Sequence, residues 1–220
     1  MFTALLLLAL SAPAQAQFPP PSRPVASIVS SQWSSESDRE RAGEADTVIR
    51  LAGVQPGYTV ADIGAGQGYY TIKLAHTVGP RGRVFAEDIV PRYLKDLKRR
   101  VVRVRAVNVT TVLGAPDDPR LRENSLDRAF LIHMYHEVQQ PYALLWRLHG
   151  AMKPGGRVAV VDADRETNEH GTPPALLKCE FESVGFRQVA FHRLERAGGY
   201  LAMFEPAAPR PDPATIRGCK

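Results

Sequence analysis

The sequence predicts an α/β fold: a doubly wound, mostly parallel seven-stranded sheet with helices on both faces and an antiparallel strand near the C-terminus. Strand-like and helical segments alternate along most of the chain, which is typical of parallel strands joined by helical crossovers. A glycine-rich turn follows the first strand, where open α/β sheets bind ligands. The last two strands are separated only by residues 194–199. That connection is too short for a crossover, so we expect an antiparallel hairpin.

Turn and capping residues set the expected bounds of each element. Ser37-Asp-Arg-Glu40 fits a capping box, and Pro91 fits the first position of a helix. Thr172 can cap a last helix that has Pro173 in its first turn and stops at Gly185. The predicted helices cover residues 37–52, 69–78, 91–103, 142–152 and 173–185. The predicted strands cover residues 59–63, 83–88, 109–113, 126–133, 157–162, 187–193 and 200–204. This order of elements is Rossmann-like.

The two ends of the chain differ in composition from the middle. An uncharged apolar run in the first 14 residues is followed by Ala14-Gln15-Ala16, which predicts a signal peptide over residues 1–16. Residues 17–36 are expected to be a linker, residues 37–205 the domain and residues 206–220 a proline-rich tail. We therefore expect a periplasmic or secreted protein, or a cytoplasmic one if the leader is not functional. The apolar run is too short to span a bilayer, so no transmembrane segment is expected in the mature chain.

Composition and charge exclude several classes of protein. The 220 residues are 44% hydrophobic and 23% charged, which excludes a disordered, collagen-like or disulfide-dense chain. The net charge of +5 is compatible with many partners.

Residues 95–105 are basic, but their apolar side chains recur at helical spacing. This favours the solvated face of a helix over a nucleic-acid site. The two cysteines, Cys179 and Cys219, are able to form one bridge, although nothing in the sequence requires it.

The segment Asp62-Ile-Gly-Ala-Gly-Gln-Gly68 indicates a nucleoside-containing cofactor. It lies between a predicted strand and a predicted helix, and Asp88, with Glu87 beside it, follows at the distance typical of a ribose-binding acid. The glycines are spaced G-x-G-x-G, whereas a dinucleotide fingerprint requires G-x-G-x-x-G. The Asp62 carboxylate would repel a pyrophosphate but suits a cofactor with an ammonium group. These features favour S-adenosylmethionine (SAM) over NAD.

Four motifs resemble those of class I SAM-dependent methyltransferases. They are Val60-Ala-Asp-Ile-Gly-Ala-Gly-Gln-Gly68, Arg83-Val-Phe-Ala-Glu-Asp-Ile89, Ser125-Leu-Asp-Arg-Ala-Phe-Leu131 and Met152-Lys-Pro-Gly-Gly-Arg157. They occur in the family's order, and the resemblance spans residues 46–204. The chain looks closest to predicted bacterial methyltransferases that often carry signal peptides.

The resemblance implies cofactor contacts for the glycine loop. Gly64 and Gly66 would lie against the amino-acid and ribose portions of SAM, and Asp62 would orient the loop and the ammonium group. We expect Ala65 to contact the cofactor as well. Tyr69 would face the sulfonium or close the pocket.

The resemblance also implies roles for residues after the second and third strands. Asp88 would hold the ribose hydroxyls and Ile89 would pack on adenine. Many members place an acid near the adenine amino group after the third strand, often as Gly-Asp. This chain has Gly114-Ala115 there instead, which puts that contact in doubt. Asp117 is our candidate for the missing acid, with Asp118 as the alternative.

The candidate catalytic residues follow the fourth strand. His133, Tyr135 and His136 lie at its carboxyl end, beside the expected cofactor site. His136 is the candidate general base, because an imidazole titrates close to neutral pH. Tyr135 is a candidate to face the sulfonium. The alternative interpretation is structural: one histidine caps the next helix and the other packs in the cleft.

We predict no metal site, although a metal interpretation has some support. His133-x-x-His136-Glu137 is similar to the H-x-x-E-H zinc pattern, but its last two residues are exchanged. Asp162, Asp164 and His170 are able to add ligands in a folded site. A solvated loop is the simpler explanation of these residues.

The sequence therefore predicts a SAM-dependent methyltransferase that acts on a small-molecule acceptor. A non-catalytic protein that binds SAM or a nucleoside is the main alternative, since export would separate the protein from the compartment that makes SAM. An NAD-dependent oxidoreductase is the weaker alternative.

Overall fold

Seven strands form one sheet in the computed structural model, which describes residues 18–28 and 35–219. They are β1 (Thr59–Ile63), β2 (Arg83–Asp88), β3 (Val109–Leu113), β4 (Leu126–Ile132), β5 (Met152–Asp162), β6 (Phe186–Arg193) and β7 (Tyr200–Pro206). The strand order is β3-β2-β1-β4-β5-β7-β6. The first five strands are parallel, and β7 pairs antiparallel with both β5 and β6. The predicted fold class and the C-terminal hairpin are confirmed.

Six helices flank the sheet in the described part of the chain. They are α1 (Glu36–Ala42), α2 (Glu44–Leu51), α3 (Tyr69–Val78), α4 (Pro91–Arg103), α5 (Pro141–Ala151) and α6 (Pro174–Glu182). One apolar cluster joins the sheet to α5 and α6, and a second joins it to α2 and α3. Both faces of the central strands are thus covered, and four of the five residues of β1 and five of the seven residues of β4 are buried. None of the helices in the described ranges has the length and apolar character to cross a membrane.

The prediction of one helix over residues 37–52 was wrong. Gly43 adopts a left-handed conformation, with φ 66° and ψ 27°, and divides this region into α1 and α2. The N-terminal cap is Ser35 rather than Ser37: the Ser35 hydroxyl accepts from the backbone N–H of Asp38, and the Asp38 carboxylate accepts from the N–H of Ser35. The box therefore starts two residues earlier than the sequence predicted.

The main other differences from the prediction concern β5 and α6. Strand β5 starts at Met152 rather than at residue 157, since the turn residues Pro154-Gly155-Gly156 lie within the strand, next to an irregularity in its pairing with β4. Thr172 does not cap α6. Its hydroxyl donates to Asp162 at the end of β5, and α6 begins at Pro174.

The segments on both sides of the domain pack against it. Residues 18–28, predicted to be a linker, contact the sheet side of α6 through a buried ion pair from Arg23 to Glu180, with an N···O distance of 3.0 Å. The proline-rich tail is held by a disulfide between Cys219 and Cys179 of α6, and Ile216 is buried. The predicted signal peptide over residues 1–16 lies outside the described residues.

The strand order reverses between β1 and β4, which are neighbours in the sheet although β2 and β3 separate them in sequence. The chain that leaves β1 and the chain that leaves β4 therefore run toward opposite edges of the sheet. A crevice therefore forms at the carboxyl ends of β1 and β4.

Candidate functional site

A cavity of about 270 Å³ lies at the carboxyl ends of β1, β2 and β4. The glycine loop after β1 forms one wall, and the residues after β2 form another. The segment after β4 and residues of α1 complete it. The cavity occupies the switch point of the sheet, where α/β proteins of this topology bind ligands.

The glycine loop turns sharply at the mouth of β1. Gly64 and Gly66 both have positive φ, at 66° and 54°, and both line the cavity with Ala65. A Cβ atom on Gly64 would lie 2.9 Å from Cγ of Met134, so a side chain there would clash with the residues after β4. The loop is held to β2 by a hydrogen bond from the N–H of Ala65 to the carbonyl of Glu87, with an N···O distance of 2.8 Å. A ligand in the cavity therefore meets bare backbone here.

Asp88 ends β2 and faces this loop. Its carboxylate accepts from the N–H of Gly66 at 2.9 Å and from the N–H of Val90 at 2.7 Å. Burial raises its pKa, while the backbone donors oppose that shift. The carboxylate lies in the cavity wall, at the position expected of a ribose-binding acid.

Glu87, which precedes the predicted ribose-binding acid Asp88, also lines the cavity. Its carboxylate accepts from the N–H of Gly64 at 3.4 Å. Burial raises the pKa of Glu87 to about 8, and the nearby Asp88 and Asp62 carboxylates add to the shift. A Cβ atom on Gly114 would lie 1.7 Å from Oε1 of Glu87, so the Gly114-Ala115 pair makes room for this carboxyl group.

Asp62 lies behind the loop rather than in the cavity wall. It is buried, and one carboxylate oxygen accepts from the hydroxyl of Thr71 at 2.6 Å. Burial raises its pKa to about 6. The contact joins the end of β1 to α3, so in this structure Asp62 fixes the loop and does not face the cavity directly.

Of the remaining predicted cofactor residues, two line the cavity and one does not. Tyr69 and Ile89 are in its wall. Asp117 is partly exposed and forms an ion pair with Arg147 of α5, with an N···O distance of 3.1 Å. The residues after β3 that reach the cavity are instead Ala115 and Pro116, which are apolar.

Of the three predicted catalytic residues, only His133 lines the cavity. Its backbone is left-handed, with φ 52°, and its Nε2 atom lies 3.0 Å from Oε2 of Glu44. Glu44 is buried at the start of α2, where it also accepts from Arg39 and from the hydroxyl of Tyr70. Burial raises the pKa of Glu44, but the hydrogen bonds and charges of His133 and Arg39 outweigh it and lower the pKa to about 2. Glu44 is therefore a carboxylate at neutral pH, and Nε2 of His133 donates to it.

Tyr135 and His136 do not line the cavity. Tyr135 is fully buried, and its hydroxyl donates to Glu180 at 2.7 Å. His136 is also fully buried, with Nδ1 3.0 Å from Oδ1 of Asp162. Neither side chain contributes to the wall of the cavity as the structure describes it.

Sequence reasoning missed Glu44 and Arg39. Both residues belong to the helical region before β1, and their contacts with His133 and the cavity depend on packing across the molecule. A buried glutamate in the first turn of an amphipathic helix carries no local signal, since acidic residues are common at that position.

The chain is similar to proteins of one enzymatic class. Residues 61–160 match a family model described as a methyltransferase domain. A ubiquinone/menaquinone biosynthesis C-methyltransferase from Pseudomonas fluorescens is 32% identical over 63% of this chain and 52% of its own length. An arsenite methyltransferase from Halobacterium salinarum is 30% identical over 51% of this chain and 29% of its own. The chain thus spans about half or less of these relatives.

Solved structures share the fold. A SAM-dependent methyltransferase from Aquifex aeolicus superposes with a TM-score of 0.70 at 22% identity, covering 76% of this chain and 91% of that one. A possible exported protein from Bordetella parapertussis superposes with a TM-score of 0.62 at 16% identity, covering 77% and 68%. Structural similarity at this level of sequence identity establishes the fold of the chain.

Proposed function

We propose that this chain, in which residues 61–160 match a methyltransferase domain, is a class I SAM-dependent methyltransferase that transfers a methyl group from SAM to a small-molecule acceptor. The observation that carries this proposal is the meeting of the glycine loop and the two β2 carboxyl groups at one cavity.

The residues around the cavity suit SAM. Bare backbone at Gly64 and Gly66 admits the amino-acid and ribose portions, and Asp88 is able to accept hydrogen bonds from the ribose hydroxyls. Ile89, Ala115 and the other apolar residues nearby suit the adenine ring. The Asp88 carboxylate favours a ligand with ammonium and sulfonium charges over a pyrophosphate.

When bound, SAM supplies an electrophilic methyl group on sulfur. Methyl transfer is an in-line displacement, so holding the acceptor opposite the sulfur accounts for much of the rate. His133 lies in the cavity wall and is oriented by Glu44. With Nε2 donating to that carboxylate, Nδ1 of the neutral ring carries the lone pair. His133 is therefore our candidate to take a proton from an acceptor hydroxyl or thiol, in place of the His136 that the sequence favoured.

Two observations support a small acceptor: the limited volume of the cavity, about 270 Å³, and the names of the relatives. The quinone-biosynthesis and arsenite methyltransferases are named for small substrates.

A methyl-transfer assay tests the proposal. The protein is incubated with SAM and a panel of reduced quinones, thiols and arsenite, and S-adenosylhomocysteine is measured by mass spectrometry. For an acceptor with an ionisable proton, His133→Ala should slow turnover about 100-fold or more and leave SAM affinity unchanged. His76→Ala, on the exposed side of α3, is the matched control. Binding of SAM without product from any acceptor would favour a non-catalytic role.

We also propose that the protein works outside the reducing cytoplasm. The predicted signal peptide supports this location, and so does the disulfide between Cys179 and Cys219, because disulfides persist in oxidising compartments. The mature N-terminus, determined by mass spectrometry of the protein from fractionated cells, tests it. An unprocessed chain with two free thiols in the cytoplasm would contradict it.

A further inference from the structure

Three side chains suited to metal binding converge beside the cavity. His136 and Glu137 belong to a 3-10 helix (Tyr135–Glu137) after β4, and His170 ends another (Thr167–Glu169) after β5. One ligand atom from each lies within 4.8 Å of the others. The carboxyl ends of these neighbouring parallel strands bring together residues that are more than 30 positions apart in sequence.

The ring of His136 is held in one orientation. Its Nδ1 atom lies 3.0 Å from Asp162, whose carboxylate also accepts from the N–H of Ala163 at 2.9 Å and from the hydroxyl of Thr172 at 2.7 Å. A carboxylate surrounded by donors is an acceptor, so Nδ1 of His136 carries the hydrogen. In the neutral ring, Nε2 then has the lone pair. A carboxylate behind the distal nitrogen is the usual support of a metal-binding histidine.

The position of His170 also requires support from the fold. Its backbone is left-handed, with φ 58° and ψ 57°, a conformation that costs a non-glycine residue about 1 kcal/mol or more. Its ring lies perpendicular to that of His136, with 5.4 Å between centroids. The hydroxyl of Thr167, at the start of the same 3-10 helix, donates to the carbonyl of Pro24 at 2.6 Å. The N-terminal segment thus braces this turn.

The spacing of the ligand atoms fits a metal ion after small side-chain rotations. Nε2 of His136 lies 4.0 Å from Oε1 of Glu137. Ligand atoms of a tetrahedral zinc site are about 3.4 Å apart when the bonds are about 2.1 Å. Glu137 and His170 are both only partly buried, whereas His136 is fully buried and its Nδ1 atom is held by Asp162.

We propose that His136, Glu137 and His170 bind one divalent transition-metal ion, with zinc as the best match. Two imidazoles and one carboxylate favour such an ion over magnesium or calcium, which prefer oxygen ligands. Three protein ligands leave one position of a tetrahedral ion open, as in catalytic rather than structural sites. Glu137 lines the cavity, so the ion would lie in its wall. This proposal departs from the sequence-based prediction of no metal site, and it stands whether or not the chain transfers methyl groups.

Metal binding is measured on the full protein, purified without a polyhistidine tag. Zinc content as isolated is determined by mass spectrometry, and the chelator-treated protein is then titrated with Zn²⁺, Mn²⁺ and Mg²⁺ by calorimetry. We expect one zinc ion per chain and no measurable heat with Mg²⁺. Bound Co²⁺ should give the visible absorption of a tetrahedral nitrogen–oxygen site.

Variants locate the ion. His170→Ala and Glu137→Gln should each weaken zinc binding by about 100-fold, and Asp162→Asn by roughly 10- to 100-fold through loss of orientation. His76→Ala, an exposed histidine on α3, should bind zinc like the wild type. Circular dichroism and thermal unfolding in chelator establish that each variant is folded. Absence of stoichiometric zinc binding in the wild type, a preference for Mg²⁺, or equal zinc affinity in folded His170→Ala and Glu137→Gln proteins would overturn the proposal.

Discussion

At the scale of single residues, Glu87 couples the candidate site to pH. In the unfolded chain this carboxyl group loses its proton near pH 4.5, but in the folded protein its pKa is about 8. Between these values the folded state binds one more proton than the unfolded state. A rise in pH therefore favours unfolding over that window.

Replacing Glu87 by Gln should remove this dependence. From pH 6 to 8, the wild type should lose stability by up to about 1.4 kcal/mol per pH unit relative to Glu87→Gln. Urea unfolding of both proteins at several pH values measures the difference. Values below pH 6 are not used, because Asp62, with a pKa of about 6, also titrates there. Parallel stability curves for the two proteins would show that the folded-state pKa of Glu87 is not raised.

Asp117 provides a second test at the residue scale. The sequence predicted a contact with the cofactor, whereas its carboxylate pairs with Arg147 away from the cavity. Asp117→Ala should therefore change SAM affinity by less than roughly twofold, as measured by calorimetry. A tenfold loss of affinity would mean that the loop after β3 rearranges to bring this acid to adenine.

At the scale of the elements, Gly68 fixes the packing of α3 against α4. Its φ is 85°, and a Cβ atom there would lie 2.0 Å from Cδ1 of Leu97. Gly68→Ala should lower the free energy of unfolding by about 2–3 kcal/mol, since it adds a clash in the core to the cost of the left-handed backbone. Gly43→Ala is the matched control. It has the same backbone region with open space around it, and should cost only about 1 kcal/mol. Equal losses in chemical denaturation would contradict a role for the contact with Leu97.

The elements with local signals were predicted well. The bounds of α3 and α4 were given to the residue, because a glycine precedes the first and a proline starts the second. The break at Gly43 and the early start of β5 were not predicted. In both regions the question is whether a helix or strand ends at a glycine or runs through it, and tertiary packing determines the answer.

At the scale of the whole molecule, the disulfide ties the tail to α6. It joins Cys179 and Cys219, 40 positions apart, and closure of a loop of that length in the unfolded state is worth about 4 kcal/mol. Cys219→Ser should therefore lower the free energy of unfolding by about 2–4 kcal/mol. Dithiothreitol should reduce the stability of the wild type by a similar amount and leave the variant unaffected. Equal stability of oxidised and reduced wild type would contradict a stabilising bridge.

The parts of the site that could be predicted lie in two successive motifs, residues 60–68 and 83–89. Gly64, Gly66 and Asp88 were identifiable because a strand, a glycine turn and an acid occur at fixed spacing. The orientations of Tyr135 and His136 could not be predicted, since a side chain after a strand can point to either side of the sheet. Glu44 and His170 reach their partners only through the tertiary fold. A pattern in the sequence therefore indicated the cofactor. The positions of the residues after β4 and before β1 could be found only from the structure.

The most direct test of the central claim is a calorimetric titration with SAM, S-adenosylhomocysteine and NADH. The wild type should bind the first two with micromolar affinity and should not bind NADH. Asp88→Ala should weaken SAM binding by roughly 10- to 100-fold through loss of charge-assisted hydrogen bonds to the ribose. Asp96→Ala, which removes an acid of α4 paired with Arg99 outside the cavity, should bind SAM normally. Binding of NADH instead of SAM, or SAM binding unaffected by Asp88→Ala, would contradict the account.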